Sequence, residues 1–211
     1  MTETSAVKNC VAFQGAKLVA SGDLHRVAAK LKHFLEQNPE ATILVFDAET
    51  SEPVELDLRG SMEEVLARLT PREPKVVTED SSARGPGRPR LGVVARELTL
   101  LPRHWEWLSK QPGGASVAVR KLVEEARHTH QDEDRLREAR ESAYRFISAV
   151  AGDFPGFEEA TRALFAPNEP EFNRILEFWP IDVRRHAKKL AATAFEVVKI
   201  LEGKRAALVN R

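Results

Sequence analysis

The sequence predicts an α+β fold on three observations. Short apolar runs separated by turn residues fill the N-terminal third, apolar residues at helical spacing fill the C-terminal third, and a Pro/Gly-rich basic stretch lies between them. Val11–Phe13 and Leu18–Ala20 read as short strands around a turn at Gln14-Gly15. Asp23 is placed to cap a helix whose apolar positions are Leu24, Val27, Ala28, Leu31, Phe34 and Leu35, all on one face. Thr42–Phe46 reads as a buried strand. After a turn ending in Pro53, Val54, Leu56 and Leu58 alternate with Glu55, Asp57 and Arg59 as a half-exposed strand. Ser61-Met-Glu-Glu64 is a capping box, which starts a helix through Val65, Leu66 and Leu69 that stops before Pro71.

These elements make residues 1–70 a small α+β domain. Residues 71–91 form a linker, because Pro71, Pro74, Gly85, Pro86, Gly87 and Pro89 interrupt both helices and central strands. Residues 131–211 read as a helical domain. Leu136, Ala139, Ala143, Phe146, Ile147 and Val150 form one stripe, ended by Gly152, Pro155 and Gly156. Short helices fit Phe157–Phe165 and Glu171–Phe178, and a last helix carries Val183, Ala187, Leu190, Ala191, Ala194, Phe195 and Val198. Whether this helical part packs on residues 1–70 is left open by the sequence.

Composition narrows the function classes. With 42% hydrophobic and 30% charged residues the chain is expected to be globular. It has no run of about 18 uncharged apolar residues, and the polar stretch Met1–Lys8 lacks the pattern of a signal peptide. A single cysteine, Cys10, excludes an internal disulfide and fits a reducing cytoplasm. The zero net charge conceals an asymmetry. Residues 1–83 hold 9 Lys/Arg against 14 Asp/Glu, residues 84–130 hold 9 against 4, and residues 131–211 hold 14 against 14. The positive charge therefore sits in the middle, which points to an anionic partner there.

Within that basic stretch, Arg84-Gly-Pro-Gly-Arg-Pro-Arg90 contains the Gly-Arg-Pro core of an AT-hook with a further arginine on each side. Pro89 keeps the backbone extended and Gly87 removes side-chain bulk, so such a peptide fits a narrow groove. Arg88 and Arg90, with Arg84, are expected to enter the strongly negative minor groove of A·T-rich DNA. The alternative is a solubilising linker that happens to contain the tripeptide.

Residues 92–130 follow with a strand-like run, Val93–Leu101, and a helix opened by Pro102 through Trp105 and Leu108. Pro112-Gly113-Gly114 then breaks the chain, and Ser116 is placed to cap a second helix with Val119, Leu122, Val123 and Ala126 on one face. This order resembles the ribbon-helix-helix fold. The resemblance implies a homodimer through residues 92–130, an antiparallel ribbon in the major groove, and backbone N–H groups of Gly114–Ser116 on a phosphate. Arg96 and Thr99 become candidates on the ribbon, and Arg120 and Lys121 candidates for backbone contacts. Two departures stand out. The first helix is about three residues short of the family pattern. In one register Arg96, Leu98 and Leu100 face the bases, and in the other Ala95, Glu97 and Thr99 do.

The whole chain also resembles a bacterial family, the domain of unknown function numbered 2239. Residues carrying that resemblance run from Arg84-Gly-Pro-Gly-Arg-Pro89 to Val123-Glu-Glu-Ala126. They also include Arg140–Phe165, with Ala151-Gly-Asp-Phe-Pro-Gly-Phe-Glu-Glu159 inside it, and Leu44-Val-Phe-Asp47 with Leu56-Asp-Leu-Arg-Gly60. It implies no activity.

No catalytic motif is present: no Walker loop, nucleophile elbow or dinucleotide fingerprint. His128 and His130 are two apart on a helix and diverge, so no metal site is expected, and no cofactor is implied. His186 falls in an apolar stripe and reads as a hydrogen-bonded core residue. Asp47, Glu49, Glu52, Glu55 and Asp57 read as a solvated face, and Cys10 as a small buried residue. Trp105 and Trp107 are two apart, so one is expected in the core and one toward a partner chain. The reading is a non-enzymatic, dimeric DNA-binding protein of the cytoplasm, a transcriptional regulator or a nucleoid-associated protein. The alternative is a protein-interaction module that the central segment only dimerises.

Overall fold

The computed structural model describes residues 9–69 and 96–209. The chain divides into two compact units, one formed by residues 1–70 with 131–211 and one by residues 71–130. The segments 1–70 and 131–211, read from the sequence as separate domains, thus share one unit and one core. The linker 71–91 lies outside the described residues.

In the first unit, β1 (Asn9–Gln14) and β2 (Lys17–Asp23) form an antiparallel hairpin, and β3 (Leu44–Asp47) pairs with the other edge of β1. The sheet order is β2-β1-β3. The two-residue hairpin turn places Gly15 at φ 52°, a left-handed conformation that glycine adopts without steric cost. A register shift between Ala12 and Phe13 marks a bulge.

Being central, β1 is buried on both faces, which explains its unbroken apolar run. Cys10 and Ala12 point to one core with Ala20 of β2 and Val27 and Leu31 of α1 (Leu24–Gln37). Val11 and Phe13 point to the other face, where Phe46 joins them. That larger core is completed by Ala143, Phe146 and Ile147 of α4 (Ala115–Ala151), by α5 (Phe157–Phe165) and α6 (Glu169–Leu176), and by α7 (Ile181–Val209). The rings of Phe13 and Phe46 lie 5.2 and 5.8 Å from that of Phe146.

Local signals in the sequence act as expected at several ends. Asp23 caps α1, its carboxylate accepting the Arg26 N–H at 3.0 Å. The capping box closes α2 (Met62–Leu69) from both sides. Glu64 Oε2 accepts the Ser61 N–H at 2.7 Å, and Ser61 Oγ accepts the Glu64 N–H at 3.2 Å. Gly156, at φ 80°, leads into α5 where a Cβ would sit 2.7 Å from Ile175 Cγ2, so backbone and packing both demand glycine.

The structure corrects three expectations. Val54–Leu58 is not a strand. Its half-buried and exposed residues do alternate, but only Pro53 bridges to Phe46 and the Val54 N–H reaches the Val45 carbonyl, so no ladder continues. Arg96–Leu101 also has no strand pairing, as no other strand of this chain is beside it among the described residues. Third, the two stripes before and after residue 130 belong to a single 37-residue helix, α4, which starts in the central unit and ends in the first. Ser116 consequently lies inside its first turn rather than at its cap, and the Gly114 carbonyl accepts the Val117 and Ala118 N–H groups.

Candidate nucleic-acid and self-association surface

The central unit is built from α3 (Pro102–Ser109), a turn, and the first turns of α4. Pro102 occupies the first turn of α3, where its missing N–H has no intrahelical partner to lose. The turn that follows places Gly113 at φ 84° and Gly114 at φ 78°. The N–H of Gly114 donates to the Gln111 carbonyl at 3.0 Å, so the turn itself uses this donor. That leaves the amides of Ala115 and Ser116, which helix geometry provides with no intrahelical acceptor.

The remaining DNA candidates fall in two places. Arg96 and Thr99 are exposed on the segment before α3, and Ser116, Arg120 and Lys121 are exposed along the start of α4. Arg120 turns its Nε back to the Ser116 carbonyl at 3.0 Å. One turn further, Arg127 engages Glu124 at 3.2 Å and partly neutralises its charge, and His128 Nε2 lies 3.6 Å from the same carboxylate. Arg84, Gly87, Arg88, Pro89 and Arg90 lie outside the described residues.

Only Leu108 and Ala118 are buried in the described part of this unit. Leu98, Leu101, Trp105, Trp107, Leu122 and Val123 are exposed, Leu98 and Val123 at 53% and 52%. Both tryptophans are therefore open, at 43% and 51%, where the sequence placed one in the core. The short α3 and the adjoining turns of α4 have too little surface to enclose both indoles. Part of this face is concave, a groove of about 440 Å³. Leu98 and Leu100 line it from the segment before α3, Trp107 and Leu108 from α3, and Val119, Leu122, Val123 and Ala126 from α4. The ninth lining residue is His104, which helical periodicity alone does not single out. Leu98 and Leu100, base-facing in one of the two registers, thus turn to the apolar groove.

The first unit holds a second cleft, of about 600 Å³, between the 48–52 loop, α4 and α7. Arg135, Arg145 and Lys189 line it together with Glu49, Glu52, Glu138 and Glu141. Ser142 there donates to the Glu49 carbonyl and lies 3.1 Å from Ser51 Oγ, while Arg145 donates to the Thr50 carbonyl. These bonds hold Ser51, fully buried, at φ 55°. Ser142 has no histidine beside it in the cleft lining that would serve as a base.

His186 is buried against Phe146 and Phe13, with ring centroids 4.5 and 5.9 Å away. Its Nε2 has no hydrogen-bond partner, contrary to the satisfied core histidine the sequence suggested. Burial, with a smaller push from Lys189, lowers its pKa to about 4. Of the acidic residues near β3, Asp57 is held well below the usual carboxylate range by its hydrogen bonds to Arg59. Cys10 is fully buried. Among the described residues no group of three or more His, Cys, Asp or Glu is placed to hold a metal ion, and no helix is long and apolar enough to cross a membrane.

No curated protein and no solved structure matches the chain. A family model does match, over residues 9–191, from β1 into α7 and through the central unit. The chain belongs to that family, described as an uncharacterized protein conserved in bacteria (DUF2239).

Proposed function

We propose that this protein is a dimeric DNA-binding protein, a transcriptional regulator or a nucleoid-associated protein of the bacterial cytoplasm. The observation that carries this reading is the exposed apolar face of the central unit, set in the most basic stretch of the chain. An apolar face of this kind on a two-helix unit needs a cover, and a second copy provides an identical, self-complementary one. Pairing Arg96–Leu101 with its equivalent in the second copy would satisfy the backbone of a segment that has no strand partner among the described residues.

On DNA, Arg84, Arg88 and Arg90 insert into an A·T-rich minor groove with Gly87 and Pro89 shaping the arm. Arg96 and Thr99 lie on the ribbon, the start of α4 around Gly114 and Ser116 meets a phosphate, and Arg120 and Lys121 add backbone contacts. Contacts of this type release counterions, so affinity falls steeply with salt.

A titration against A·T-rich and G·C-rich duplexes at two salt concentrations tests the reading, with the Arg88→Ala/Arg90→Ala protein alongside. Salt-sensitive binding that prefers A·T is expected, with a salt slope smaller by about two per engaged protomer in the double variant. A slope that the variant leaves unchanged removes the arm from the interface. A second reading is favoured by Glu97, which shares the side of Thr99 in a ribbon and would turn a carboxylate to DNA. In it the central unit only dimerises a protein-interaction module, and a stable dimer binds neither duplex.

A further inference from the structure

We propose that the cleft between the 48–52 loop, α4 and α7 binds a short peptide with free termini. The cleft lies wholly in the first unit, so the proposal is independent of the DNA-binding reading. Its walls display both signs of charge. Arg135, Arg145 and Lys189 are the cations, and Glu49, Glu52, Glu138 and Glu141 the anions. Among the described residues none of these seven side chains joins an ion pair. Their neighbours outside the cleft do: Arg137 meets Asp134 at 2.8 Å and Lys188 meets Glu177 at 3.0 Å. Glu141 and Arg145 stand four apart on α4 with the carboxylate first, the spacing that pairs most readily on a helix surface. Arg145 donates instead to the Thr50 carbonyl, which leaves the Glu141 carboxylate to the cleft.

The loop wall is fixed before any ligand arrives. Asp47 Oδ1 accepts the Glu49 and Thr50 N–H groups at 2.9 Å, and the buried Ser142 donates to the Glu49 carbonyl. Ser51, buried beside Ser142, is held at φ 55°, a left-handed conformation that a residue with a side chain adopts only when its surroundings impose it. A wall ordered in advance loses little freedom on binding. Length then selects the occupant. Arg135 and Arg145 are ten residues apart on one helix, about 15 Å along its axis. An extended chain covers that span in about four residues. An ion of either sign alone would meet like charges in this cleft, which disfavours it. A peptide with free termini brings an ammonium and a carboxylate, separated by its length, and backbone groups for the hydroxyls of Thr50 and Thr193.

Equilibrium dialysis of the full chain against a tetrapeptide library with free termini tests this. The same library with N-acetylated or C-amidated ends, and a mixture of free amino acids, run beside it. Free-terminus tetrapeptides are expected to be retained, and each cap to weaken retention about tenfold, the effect of losing one charge-assisted hydrogen bond. Arg135→Gln and Glu141→Gln change exposed side chains, and each should weaken retention by a similar factor with an unchanged circular dichroism spectrum. No retention of free-terminus tetrapeptides, or equal retention of the capped libraries, overturns the proposal. Free amino acids held as tightly as tetrapeptides overturn the length argument and the peptide with it. Retention that neither variant weakens removes the site from this cleft.

Discussion

The two units of this chain solve the burial of apolar surface differently. In the first unit the sheet is covered on both faces, by α1 on one side and by α4–α7 on the other, and Phe13, Phe146, Phe172 and Leu164 are fully enclosed. In the central unit only Leu108 and Ala118 are buried among the described residues, and Trp105, Trp107, Leu98 and Leu101, with Leu122 and Val123 of α4, lie open. The difference follows from the number of layers. A sheet between helices encloses side chains from three directions, whereas two helices and an unpaired segment close on one side only. Folding encloses most large apolar side chains of the first unit, whereas among the described residues of the second it leaves most of them open.

That contrast is broken or sharpened by four substitutions or conditions. The largest effect is expected at Phe146, which joins Phe13, Phe46 and His186 in one aromatic cluster. Phe146→Ala should destabilise the protein by about 3–5 kcal/mol, read from denaturant unfolding. A loss below about 1 kcal/mol would mean that the two sequence-distant halves of the first unit do not depend on each other.

Acid is expected to act next. The folded-state pKa of His186, about 4, lies below the ordinary value of about 6.5, so the unfolded chain binds more protons between these values. Stability is therefore full above about pH 6.5 and is lost as pH falls toward 4, by at most about 1.4 kcal/mol per pH unit. The melting temperature of His186→Phe should lose this dependence.

Ser142→Ala removes the hydroxyl that donates to the part-buried Glu49 carbonyl and partners the buried Ser51 hydroxyl, leaving both without it. A cost of about 1–3 kcal/mol is expected in chemical denaturation. The smallest effect on folding is expected in the central unit. Leu122→Glu on its open face should shift the unfolding of the first unit by less than about 0.5 kcal/mol, yet convert the proposed dimer to monomer in sedimentation velocity. Retention of the dimer by this variant would place the self-association surface elsewhere.

Legibility in the sequence followed the range of the interactions. The capping box at Ser61 and Glu64, the Asp23 cap, the turn at Gly15 and the proline opening α3 involve residues three or four apart or a single backbone conformation, and each was readable. The strand at Val54–Leu58 was misread because its alternation records which side chains are half-buried, while a strand also needs a neighbour's backbone, which only the Phe46–Pro53 bridge supplies. Ser116 was misread as a cap because a serine beside glycines suits both a cap and a first turn. The groove around His104 was missed because it gathers residues from three stretches, none of which shows it alone.

By itself, then, the sequence determined the helices and the hairpin, the basic middle stretch and the family, since these reside in local spacing, charge and motif. Only the tertiary structure decided that residues 1–70 and 131–211 share one core, that α4 runs unbroken from one unit into the other, and that Trp105 and Trp107 both lie open. Each of these depends on which apolar faces find a partner across long sequence separations, and hydrophobic burial rewards contact without specifying from where in the chain it comes.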